Sequence, residues 1–162
     1  MGLMPSDSTS QKRLPTISAD ELRESFSKKT VDHILKPRNV GEFRAADGIG
    51  RASIPCGDSM QICLRIGQDR ILEAQFMTDG CGPVIACGSV VTELVKGKTI
   101  NEAMALSEDD IMTSLDGLPD AEGHCAMLAV SALKQALIDY LAVRRELWKR
   151  TYRQIGPFEP GR

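Results

Sequence analysis

The 162-residue chain is 42% hydrophobic, enough to bury one core, and nothing in its length asks for a second domain. With 20 Lys and Arg against 22 Asp and Glu, a net charge of -2 gives no reason to expect nucleic acid or an acidic membrane as the main partner. Five cysteines are an odd number without the dense framework of a small secreted domain, so free thiols and a reducing, cytoplasmic setting are expected.

Residues 1–17 read as a flexible leader, rich in Ser and Pro and without apolar periodicity. Met1 to Lys12 holds no apolar core of signal-peptide length, and no later run is expected to approach the roughly 18 apolar residues of a membrane span. Residues 18–150 read as the domain, and 151–162 as a C-terminal tail. Ser18 has the position of an N-cap, with Glu21 completing a capping box, and Leu22, Phe26, Val31, Ile34 and Leu35 form a helical stripe. One helix is therefore predicted, ending at Lys36-Pro37 because the residue before proline is pushed out of the helical region.

Arg38 to Gly50 reads as a connector. Beyond it, Met60, Ile62, Leu64 and Ile66 alternate with Gln61, Cys63 and Arg65, the period of a strand with one buried face. Gly67-Gln68-Asp69-Arg70 then turns the chain into a second alternating run through Leu72, Ala74 and Phe76, a predicted antiparallel hairpin. Ile49 to Ile54 is a weaker third strand. After Asp79-Gly80-Cys81-Gly82, Pro83 suits a first helical turn, and Val84, Cys87, Val91, Leu94 and Val95 recur at helical spacing until Gly97.

Thr99 to Ala105 and Ser107 to Leu115 read as two short helices, the second opening on a serine cap and three acidic residues. Cys125 is expected to open the last helix, whose Leu128, Ala132, Leu133, Ala136, Leu137 and Leu141 make a broad apolar face running toward Trp148. Strands first and helices afterwards give an α+β domain: a small three-stranded antiparallel sheet, helices packed mainly on one face, and a long C-terminal helix.

Three thiols carry the chemistry. Cys56 in Pro-Cys-Gly-Asp, Cys81 in Asp-Gly-Cys-Gly-Pro and Cys125 in Gly-His-Cys-Ala each lie in or beside a predicted turn. With Asp58 two residues after the first and His124 next to the last, they offer the soft-plus-hard donor set that zinc or iron selects. Cys81 and Cys125 are placed at or just before helix N-termini, where free N–H groups should favour the thiolate.

Free cysteines are more often small buried hydrophobes. Cys87, on the apolar stripe between Val84 and Val91, fits that, with an auxiliary thiol as the alternative; Cys63, on the strand face opposite Met60 and Ile62, is packing or surface. His33 reads as structural, while Asp58 and His124 must be weighed against a plain turn carboxylate and a surface histidine.

The separations between the three cysteines match none of the close-paired zinc signatures, but the words around them are specific. Over roughly Phe26 to Tyr140, the chain resembles the NifU/IscU-type iron-sulfur cluster assembly scaffold family. The matching segments are Val31-Asp32-His33, Lys36-Pro37-Arg38-Asn39-Val40-Gly41, Cys56-Gly57-Asp58, Asp79-Gly80-Cys81-Gly82, Leu94-Val95-Lys96-Gly97-Lys98-Thr99 and His124-Cys125.

The resemblance implies a carrier that is a sulfur acceptor rather than a catalyst. Cys56, Cys81 and Cys125 would hold a nascent cluster, 2Fe-2S or 4Fe-4S, with Asp58 or His124 near the remaining coordination position. Its implied partners are a cysteine desulfurase, which delivers sulfur as a persulfide, and the apo-proteins that receive the cluster; such scaffolds occur as dimers and trimers. Many relatives carry Leu-Pro-Pro-Val-Lys where this chain has Leu118-Pro119-Asp120-Ala121-Glu122, which removes the segment read by an Hsp70-type chaperone and puts an acid where a lysine often stands. Many also carry Asn-Pro before the first cysteine motif, where this chain has Ile54-Pro55.

The alternative is a zinc-binding sulfur relay of SufU type, using the same cysteines with Asp58. A thiol phosphatase is set aside, because Ser131 stands where the phosphate-clamping arginine would be. The basic run Arg144, Arg145, Lys149, Arg150 and Arg153 offers a docking face for an acidic partner such as the desulfurase, against the commoner solvated helix face.

Overall fold

The structure, a computed structural model, describes residues 18–55 and 57–155, with side chains as far as Trp148. Its first departure from expectation comes at once, since the predicted single helix is two. Ser18 and Glu21 exchange the two hydrogen bonds of a capping box at the head of α1 (Ala19–Ser25). Phe26 then takes an extended conformation and Ser27 caps α2 (Lys28–Leu35), accepting from the Thr30 N–H at 3.1 Å. The break is fixed from outside. The hydroxyls of Ser27 and Thr30 both donate to the carbonyl of Leu115, a tertiary contact that sequence periodicity does not register.

The sheet is antiparallel in the order β1 (Gly48–Ser53), β2 (Ser59–Gly67), β3 (Arg70–Thr78). Gln68 and Asp69 close the second hairpin with φ of 53° and 60°, the left-handed pair of a type I′ turn whose twist matches the strands. The free edge of β3 is covered at Phe76 by Val40 and at Arg70 by Thr99.

One face of the sheet carries Met60, Ile62, Leu64, Ile71 and Phe76, all buried. Two helices lie on it, α3 (Gly82–Val95) against β3 and α6 (Gly123–Ile155) against β1 and β2. Glycines set how closely they approach. A Cβ on Gly50 would stand 2.2 Å from the Ala132 carbonyl oxygen, and one on Gly88 2.4 Å from the Phe76 ring, so neither contact tolerates a side chain. Helices α4 (Ile100–Met104) and α5 (Glu108–Ser114), each opened by a capping box, pack at the side, and a 3-10 turn over Asp120–Glu122 leads into α6.

The expected α+β architecture is therefore the one observed. Helix α6 does, however, reach the length and apolar content of a membrane span, contrary to the sequence expectation. Its apolar residues serve the core instead: Cys125, Ala126, Leu128, Ala129, Ala132, Leu133, Ala136 and Leu137 are buried in the domain. The apolar face stops there, for Leu141 and Trp148 are exposed.

On the opposite sheet face, Cys63 is buried too. Glu42 accepts a hydrogen bond from Gln61 and the Phe43 ring lies 4.6 Å from the Arg65 guanidinium, so this segment straps across the strand over the thiol between them.

Candidate metal centre

The antiparallel register brings the β1–β2 loop and the β3–α3 loop to the same end of the sheet. In the first, the Ile54 N–H donates to the Asp58 carbonyl and the Gly57 N–H to the Ile54 carbonyl, both at 2.9 Å, and Gly57 makes the turn at φ 103°. Cys56, between Pro55 and Gly57, lies outside the described residues.

In the second loop, Asp79 Oδ1 accepts the Ser59 N–H at 2.8 Å while Thr78 Oγ1 donates to the Ser59 carbonyl at 2.6 Å. Ser59 is thus held from both sides, which ties the loop bearing Asp58 to the one bearing Cys81. The Ser59 N–H holds the Asp79 carboxyl below the usual carboxylate range.

Cys81 is the exposed N-cap residue of α3. Cys125 lies inside the first turn of α6, not at its opening, and is fully buried. Its thiol donates to Glu122 Oε2 at 3.4 Å. His124, half-buried, completes a group in which one donor atom each from Glu122, His124 and Cys125 lies within 4.8 Å of the others. The 3-10 turn aims Glu122, its geometry fixed by the Glu122 N–H to the Pro119 carbonyl at 2.8 Å.

The electrostatics reverse the thiolate expectation. Burial, followed by the carboxylates of Glu122 and Asp58, pushes the Cys81 thiol up, and the nearby Val84 N–H offsets only part of this. Burial and the hydrogen bond to Glu122 push Cys125 above the ordinary thiol range. Helix N-termini favour an anion by only about 1 kcal/mol, less than desolvation and two facing carboxylates cost it. Both thiols are therefore harder to ionise than a free cysteine, an effect that a bound cation would oppose.

Cys87 is core, as its stripe position predicts, yet it belongs to the same neighbourhood. Burial first, then Cys81 and Glu122, push it up to about 12. Asp58, half-buried, finds no cationic partner among the described residues.

His33 stands apart in a structural network. Its Nδ1 is 2.7 Å from Ser89 Oγ, which also accepts the Arg38 N–H at 2.9 Å, and burial lowers its pKa. In the basic run, Arg144 pairs with Asp69 and Arg145 is exposed; the side chains of Lys149, Arg150 and Arg153 lie outside the described residues.

The residue that sequence reasoning missed as a donor is Glu122, noted only as an acid in an unusual place. Its signal was present in the spacing Glu122-x-His124-Cys125, which puts oxygen, nitrogen and sulfur donors on one helical entry turn.

Residues 25–146 match the model of the NifU-like N terminal domain. The chain belongs to that family. It is 44% identical over 116 residues to the iron-sulfur cluster assembly scaffold protein IscU 1 of Archaeoglobus fulgidus, covering 71% of this chain and 76% of the relative. It is 43% identical over 125 residues to the scaffold protein IscU of Escherichia coli, covering 74% and 97%.

Two solved structures share the fold at low identity. A NifU-like N-terminal protein from Brucella abortus aligns with a TM-score of 0.60 at 16% identity, covering 77% of this chain and 99% of that one. A candidate scaffold for the SUF system from Fervidobacterium islandicum aligns with a TM-score of 0.58 at 20% identity, covering 71% and 98%.

Proposed function

We propose that this member of the NifU N-terminal family is a scaffold on which an iron-sulfur cluster is assembled on Cys56, Cys81 and Cys125 and from which it passes to apo-proteins. The observation that supports this reading is that the Cys81 thiol feels the charges of Glu122 and Asp58, and the Cys125 thiol those of Glu122, Cys87 and Cys81, at the end of the sheet where their loops converge. Relatives named as scaffolds at 43 to 44% identity support it. Clusters are cargo here, and the donor set suits cargo. Three thiolates with one harder oxygen or nitrogen ligand, from Asp58 or His124, release iron more readily than four thiolates.

Among the described candidate cysteines, Cys81 is the exposed one, so it is the thiol that a desulfurase persulfide can reach. Once deprotonated, the Cys81 sulfur attacks the terminal sulfane sulfur, forming a new S–S bond as the old one breaks and returning the desulfurase cysteine as a thiolate.

The deciding experiment is anaerobic reconstitution with iron and a cysteine desulfurase. Cluster absorbance should form on the wild type and on Cys87→Ala and vanish in Cys56→Ala, Cys81→Ala and Cys125→Ala. Cluster yield indifferent to all three substitutions would sink the scaffold, and tight zinc that iron and sulfide cannot displace would favour the sulfur relay.

A further inference from the structure

We propose that Glu122 is a metal ligand, and that with His124 and Cys125 it forms a half-site for a single divalent, thiophilic cation at the head of α6. The inference rests on the scaffold reading for its biological purpose, but its geometry stands independently.

Glu122 is half-buried, and its carboxylate has no Lys, Arg or backbone N–H partner among the described residues; its side-chain hydrogen bond is to a thiol. Three other carboxylates, by contrast, are occupied. Asp79 holds the Ser59 N–H, Asp110 closes the capping box of α5, and Asp116 pairs with Lys29 at 3.0 Å. A carboxylate taken out of water without a cation is unfavourable, and that cost is relieved when a cation binds.

The distances fit a small tetrahedral ion. A metal–oxygen bond of about 2.1 Å and a metal–sulfur bond of about 2.3 Å, opened to the tetrahedral angle, separate the two donors by about 3.6 Å. Glu122 Oε2 and Cys125 Sγ already stand 3.4 Å apart. The imidazole lies within the same 4.8 Å group and offers the third corner. An oxygen, nitrogen and sulfur set matches zinc, cobalt and ferrous iron rather than calcium or magnesium. Positioned thus, Glu122 would hold the ion against the buried Cys125 and leave the exposed Cys81 free to accept sulfur.

The test titrates cobalt(II), whose thiolate charge-transfer and d–d bands report sulfur ligation and tetrahedral geometry, into the full chain under anaerobic conditions. Glu122→Gln, which keeps shape and loses charge, should weaken cobalt affinity more than about tenfold, the loss that even an outer-shell partner produces. Glu122→Asp, which retains the carboxylate, should recover part of that loss, separating ligand loss from misfolding.

Wild-type affinity and unchanged d–d bands in Glu122→Gln would overturn the proposal. So would a Glu122→Asp variant no better than Glu122→Gln while both melt like the wild type. Cluster reconstitution is scored separately. A wild type that binds cobalt through Glu122 but builds no cluster refutes the scaffold and leaves the half-site standing; the converse refutes the half-site alone.

Discussion

The two ends of the sheet are built on opposite electrostatic plans. At the hairpin end, charged and polar groups are matched: Asp69 pairs with Arg144, Asp47 accepts the Ile66 N–H at 2.8 Å, Asp139 accepts the Ile49 N–H at 3.0 Å, and Arg70 donates to the Gly97 carbonyl at 2.9 Å. At the cysteine end, Glu122 and Asp58 face thiols and no cation among the described residues. Helix α6 spans both, with Cys125 at one end and Arg144 at the other. One end is closed by its own side chains, while the other keeps ligands whose natural complement is a metal.

The contrast can be tested hardest through pH. Folding raises the Cys87 thiol from its ordinary 9.0 to about 12, so the native chain binds that proton more tightly than the unfolded one. Its contribution to stability is complete below about pH 9 and shrinks as pH rises toward 12, by about 1.4 kcal/mol per pH unit. Denaturant unfolding from pH 8 upward should show this alkaline loss in the wild type and a shallower one in Cys87→Ala. Equal slopes would mean that the cysteine end is wetter than its burial indicates.

A smaller effect is expected at Asp79, which ties the two ligand loops through Ser59. Asp79→Ala should lower cobalt affinity several-fold while leaving the melting temperature near that of the wild type. Because the carboxyl sits below its usual value of 3.8, the tie is present above that pH and lost as pH falls through the lower folded value, so wild type and variant should converge in strong acid.

The smallest effect belongs to the hairpin end. Arg144→Ala removes an exposed ion pair of the kind that contributes little to stability. Neither the melting temperature, read calorimetrically, nor cobalt affinity should move. A loss of affinity there would show that α6 couples the two ends and that their separation is only geometric.

Much of this was legible beforehand because it depends on local chemistry. Period-two alternation at Met60, Ile62 and Leu64 declared β2, the turn residues Gln68 and Asp69 declared the hairpin, and Ser18, Ser107 and Pro83 announced helix starts. The motifs around the cysteines pointed to the family whose model the chain matches.

What failed did so for long-range reasons. The break at Phe26 depends on the Leu115 carbonyl, 88 residues from Ser27, and the apolar length of α6 was misjudged because a core helix and a membrane span share one composition. The thiolate expectation failed because it counted helix N–H groups near each cysteine and not the burial and carboxylates that folding brings.

By itself, then, the sequence determined most of the strands and helices, though not the break at Phe26, and which residue types could ligate, since caps, turns and periodicity act within a few positions. Only the tertiary structure decided which of the described thiols is reachable, that Cys87 lies within electrostatic reach of Cys81 and Cys125, and that Glu122 faces Cys125. Those facts depend on desolvation and through-space charge, which are properties of neighbours distant along the chain.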